Sequence, residues 1–161
     1  MSYTPVLVAF AVAALMALAT SWAAYQSVLT IRAVEWFITF STCILAILKL
    51  RDLRSIATMF LNYDLLVQRW VPYARDYPFA EAFAGILMIS GALTVLSAPV
   101  ALFIGAVGTW SVFRAVYVQK RELKCACVGS AINVPLGFVS LTKNLMMIAM
   151  ALWMGARALG A

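Results

Sequence analysis

The stretch Pro5–Tyr25, PVLVAFAVAALMALATSWAAY, decides the fold. It has no charged side chain and reaches the ~20 apolar residues a helix needs to cross a bilayer. In hydrocarbon every backbone N–H and C=O must be satisfied within the segment, so the run is read as a spanning α-helix. Only Met1-Ser2-Tyr3-Thr4 precede it, with no positive residue, and it is too long for a signal-peptide core, so it is expected to be retained.

The rest of the chain has the same character. Of 161 residues, 65% are hydrophobic and 11% charged, with a mean hydropathy of +0.98. Soluble domains carry roughly a quarter charged residues, so the composition is that of a membrane protein. The net charge of +6 is then read as lysines and arginines meeting anionic lipid, not nucleic acid. There is no histidine, which excludes His-based acid–base catalysis, His–zinc sites and His-held haem.

Outward from the first run, apolar stretches predict spans at about 5–25, 34–49, 78–97, 99–118 and 138–157. The link between the third and fourth is short, which predicts a tight antiparallel hairpin. Residues 50–76 differ, with Arg51, Asp52, Arg54, Asp64, Arg69, Arg75 and Asp76 among leucines and aromatics. Leu53, Ile56, Ala57 and Phe60 recur at helical spacing, predicting an amphipathic helix in the interface, with a packed re-entrant segment as the alternative. The fold class is therefore an all-α integral membrane bundle in a single domain.

The loop at 119–135 carries Lys120-Arg121-Glu122-Leu123-Lys124-Cys125-Ala126-Cys127, two of the three cysteines. One residue between thiols lets both sulfurs reach one partner: each other, a soft metal ion, or a third thiol. A Cys-x-Cys disulfide closes a small, easily reduced ring, and the neighbouring cations favour thiolate. Counting Lys and Arg places this loop and residues 49–77 on one face, cytoplasmic by the positive-inside rule, leaving Arg32 and Arg157 opposite.

Placed by depth, the remaining unusual residues gather in the same half of the membrane. Cys43 lies six residues before Lys49, about 9 Å along its helix. Glu81 enters from that face and Arg114 leaves toward it, so the two are expected to pair across the hairpin. Lys143 and Asn144 lie one to two turns inside the last span. Ionisable groups within spans are functional candidates by default, although Lys143 has the option of snorkelling to the headgroups. Met146, Met147, Met150 and Met154 stripe the last span, more as packing than as a thioether path for Cu(I).

The runs Leu123 to Gly129, Val134 to Thr142 and Asn144 to Met147, with Tyr77-Pro78-Phe79-Ala80-Glu81 and Leu48 to Asp52, resemble the MauE/DoxX family of redox-associated membrane proteins. The likeness covers about Val34 to Trp153, leaving the first span as an addition to the family's four-helix unit. It implies thiol/disulfide chemistry: MauE is tied to maturation of the disulfide-rich methylamine dehydrogenase subunit, and some relatives are joined to glutaredoxin-like domains. Cys125 and Cys127 would then be the redox pair, with Glu81 and Asn144 as polar residues inside the bundle. Two departures stand out, Lys143 where an acidic residue is expected and Ser130 where a second glycine is expected.

These readings predict a bacterial inner-membrane protein passing electrons between Cys125–Cys127 and a thioredoxin- or glutaredoxin-like partner or a quinone. Arg114 would stabilise a thiolate or quinone oxygen, and Glu81 would orient Arg114. The alternatives are a Cu(I) or Hg(II) carrier ligated by Cys43, Cys125 and Cys127, and a non-catalytic scaffold for a soluble oxidoreductase. Oligomerisation is left open.

Overall fold

The computed structural model describes residues 3–91, 93–123 and 136–160. Cys125 and Cys127 lie outside the described residues. The elements are α1 (Thr4–Tyr25), α2 (Ile31–Leu50), α3 (Leu53–Leu61), α4 (Leu65–Arg69), α5 (Tyr73–Ser90), α6 (Thr94–Phe113), which continues as a π-helical turn (Arg114–Val118), and α7 (Phe138–Gly160). Helices α1, α2, α6 with its π turn, and α7 are long and apolar enough to cross a membrane. Helix α5, which carries Arg75, Asp76 and Glu81, packs against both α2 and α6. The chain is an all-α integral membrane bundle, with α1 laid against α2 and α7 against α6.

The hairpin forms, but its turn lies earlier than the sequence pattern suggests. Helix α5 ends at Ser90, capped by Gly91 in the left-handed conformation (φ 63°), whose N–H donates to the Met88 carbonyl. Helix α6 starts at Thr94, so Pro99 sits inside it, as Pro78 sits inside α5. The apolar pattern alone puts both prolines at helix beginnings. Each lies about a turn and a half in, which membrane helices tolerate because neighbouring groups take up the freed carbonyl.

That shift changes which residues can meet. Glu81 lies nine residues before the end of α5 and Arg114 twenty after the start of α6. At ~1.5 Å per residue they differ in depth by about 16 Å. The expected Glu81–Arg114 pair does not form; Arg114 is exposed at the start of the π turn.

The segment after α2 is amphipathic, as its pattern indicates, and it packs across the end of the bundle. Asp52 caps α3 by accepting the Ser55 N–H, and Asp64 caps α4 by accepting those of Leu66 and Val67. Ile56, Phe60 and Val67 are buried while Arg51, Arg54 and Thr58 face outward. The Ser111 hydroxyl accepts the Leu65 N–H, and Arg121 donates to the Asn62 carbonyl, tying this segment to α6 and to the stem of the thiol loop.

Candidate functional site

Three charged side chains from three helices meet in the core. Lys49, near the end of α2, donates to Glu81 Oε2 at 2.5 Å, and Lys143 of α7 pairs with Glu81 Oε1. Their side chains are 2%, 0% and 4% exposed for Lys49, Glu81 and Lys143. Lys143 therefore does not snorkel. One carboxylate between two ammonium groups leaves a surplus positive charge, and a buried ion pair is costly unless its geometry is good. Tyr77 of α5 eases that cost: Lys49 Nζ lies 5.0 Å and Lys143 Nζ 5.8 Å from its ring centroid, within cation–π range.

Around this triad is a cavity of 10 Å³, about one water's worth, lined among others by Tyr63, Asp64, Ser140 and Asn144. Asp64 makes no ion pair with either lysine among the described residues; its Oδ1 is taken by the α4 amides. Burial pushes the Asp64 carboxyl up from its ordinary value, while the Val67 and Leu66 amides and the Ser111 hydroxyl pull it back. Burial, reinforced by Asp64 and Glu81, raises the Tyr63 phenol well above its ordinary value, so it stays neutral. Asn144 Oδ1 is buried without a hydrogen-bond partner among the described residues, and its amide fills the space over Gly108, where a Cβ would come within 2.7 Å of Nδ2.

Cys43 belongs to the same half of the bundle. It is partly buried on α2 against Gly85, one turn beyond Glu81 on α5; a Cβ at Gly85 would lie 2.7 Å from its Sγ. The methionines do packing work: Met147, Met150 and Met154 are buried in the core. The described ends of the thiol loop lie at this end of the bundle. The loop's two stems are joined by the Leu136 N–H donating to the Leu123 carbonyl at 2.9 Å, and Lys143 follows Leu136 by two turns, about 10 Å.

Of the residues singled out in the sequence, Glu81, Lys143 and Asn144 lie together in the core and Cys43 sits against Gly85, one turn from Glu81. Arg114 is exposed and apart from this cluster, which Lys49, Tyr77, Tyr63 and Asp64 join. By pattern alone Lys49 is only the polar end of a span. The signal for it is its placement at the face from which Glu81 enters, on an adjacent helix.

This arrangement of loop stems and buried polar residues falls within a sequence match to the family described as "Methylamine utilisation protein MauE" over residues 27–157. The chain belongs to the MauE family. The match begins just after α1. No curated protein and no solved structure matches the chain.

Proposed function

We propose that this MauE-family membrane protein, one of a family involved in methylamine utilisation, carries out thiol–disulfide electron transfer through Cys125 and Cys127. The observation carrying the reading is the surplus buried positive charge of Lys49, Glu81 and Lys143 beneath the stems of the two-thiol loop. A fixed positive field stabilises thiolate over thiol and favours anionic character in whatever accepts the electrons. Lys49 and Lys143 take the role that the sequence assigns to Arg114, and Glu81 positions both ammonium groups.

In the exchange, a thiolate of a thioredoxin- or glutaredoxin-like partner attacks one sulfur of the Cys125–Cys127 disulfide and releases the other as thiolate. The partner's second thiol then displaces the mixed disulfide. The partner leaves oxidised, and Cys125 and Cys127 hold two electrons and two protons. These pass to a quinone, which becomes the hydroquinone as the disulfide re-forms. The same positive field disfavours the passage of Cu(I) or Hg(II) beside Cys43, which sets this reading above a metal carrier. The distribution of Lys and Arg supports a cytoplasmic loop, and we take the membrane to be a bacterial inner membrane.

The test is turnover with a thioredoxin-like dithiol donor in proteoliposomes. Cys125→Ser and Cys127→Ser are each expected to abolish it. Unchanged turnover would leave a scaffold role, and stoichiometric Hg(II) binding lost in Cys43→Ser would move the protein to transport.

A further inference from the structure

A second ion cluster lies at the opposite end of the bundle. Glu35, near the start of α2, is 8% exposed, and its carboxylate accepts from Arg32 (3.0 Å), Arg157 (3.0 Å) and the Trp153 indole (2.9 Å). Both arginines are half exposed, at 48% and 51%. A single carboxylate neutralises one guanidinium, so one positive charge is left over at this mouth. Each guanidinium gives Glu35 its NH1 and has further N–H donors in a fixed fork.

The surrounding surface is concave. Arg32 and Arg157 border a cleft of 680 Å³ whose walls include Tyr25 and Trp153, and a second of 220 Å³ floored by Glu35. The second cleft shares Thr94 and Ala158 with an apolar groove of 490 Å³ between α6 and α7. From Thr94 to Leu102 that groove runs about 12 Å along α6. The mouth's cleft wall is braced from the α1–α2 turn, where Ser21 bonds the Ser27 carbonyl and the hydroxyl of Thr30, the α2 cap.

A preorganised cationic fork continuous with a greasy channel matches one ligand chemistry, an anionic head on an acyl chain. We propose that this end of the bundle binds an anionic phospholipid, its phosphate held by Arg32 and Arg157 and one chain lying in the α6–α7 groove. The site stands apart from the redox reading. Glu35 and Lys49 are fourteen residues apart on α2, about 21 Å, too far for a headgroup held here to touch the thiol end.

The experiment is native mass spectrometry of the full chain, delipidated in detergent and titrated with phosphatidylglycerol, phosphatidylcholine of the same chains, or inorganic phosphate. One phosphatidylglycerol is expected to bind about tenfold more tightly than phosphatidylcholine, the order expected for a cationic fork at an anionic head. Inorganic phosphate alone should bind far more weakly. The preference should vanish in Arg32→Gln, which leaves Glu35 neutralising Arg157 with no surplus charge, and fall to about threefold in Glu35→Gln/Arg157→Gln, which keeps one positive charge but loses the second arm of the fork without stranding a buried carboxylate. Arg114→Gln, at the far end, should keep it. Equal binding of the two lipids, phosphate binding as tight as the lipid, or displacement of phosphatidylglycerol by an equimolar quinone would each overturn the assignment.

Discussion

Each end of the bundle holds one carboxylate between two cations, yet the two sites are built from different chemistry. Around Glu81 the cations are lysines, buried under α3, α4 and Tyr77. Around Glu35 they are arginines, half in contact with the surroundings. A lysine ammonium is a compact charge able to lose its proton when buried, whereas a guanidinium keeps its charge and presents several donors at once. The lysine site therefore suits a field or a proton acting inside the protein, and the arginine site suits holding something from outside.

The comparison breaks most sharply at the carboxylates. Glu81→Gln strands two buried ammonium groups and should cost about 3–5 kcal/mol in unfolding free energy, measured by denaturant titration in mixed micelles. Lys143→Met should do the reverse: it removes the surplus charge, leaves Lys49 paired to Glu81, and should keep stability within about 1.5 kcal/mol of the parent or raise it, because buried ion clusters exchange for apolar groups at little cost. Its turnover should nevertheless fall. A Lys143→Met protein as unstable as Glu81→Gln would mean that the triad is not oversupplied with positive charge.

Much of this is legible in the residues alone, and the failures share one cause. Long charge-free runs such as Pro5–Tyr25 announce spanning helices because lipid leaves the backbone no other option. The depth of Glu81, Cys43 and Lys143 can be counted from the nearest polar flank. Partnership across helices cannot, because it depends on where a turn falls. Reading Pro99 as a helix start moves the hairpin turn by about two helical turns and puts Arg114 opposite Glu81. Gly91 is the true marker, since a left-handed cap is a backbone demand that glycine meets without strain. The burial of Tyr63 and Tyr77 follows from α3 and α4 folding over the bundle end, which no periodicity encodes.

At the other end the matching substitution should be mild. Glu35→Gln frees two guanidiniums that are already half exposed, so solvent or headgroups take over from the carboxylate, and the loss should be about 1 kcal/mol or less. The effect should shrink further with added salt, whereas that of Glu81→Gln should not, since screening reaches exposed charges far more than buried ones. Equal salt dependence at both ends would erase the distinction between a buried site and an exposed one.

The smallest effect expected is at Asp64, which lies between α3 and α4 and lines the Lys49–Lys143 cavity without pairing to either lysine. Its folded-state carboxyl is raised by burial. The folded protein thus binds that proton more tightly than the unfolded chain does, so Asp64 contributes stability that is fully present below its unfolded value and lost as pH rises through the raised one. An asparagine in its place would still offer a side-chain oxygen to the Leu66 and Val67 amides while removing the titration. Asp64→Asn should therefore change stability by less than about 1 kcal/mol and flatten this decline on the acid side, read from denaturant midpoints across pH. A decline that persists unchanged in Asp64→Asn would assign the acid-side behaviour to another carboxylate and remove Asp64 from the account of the buried site.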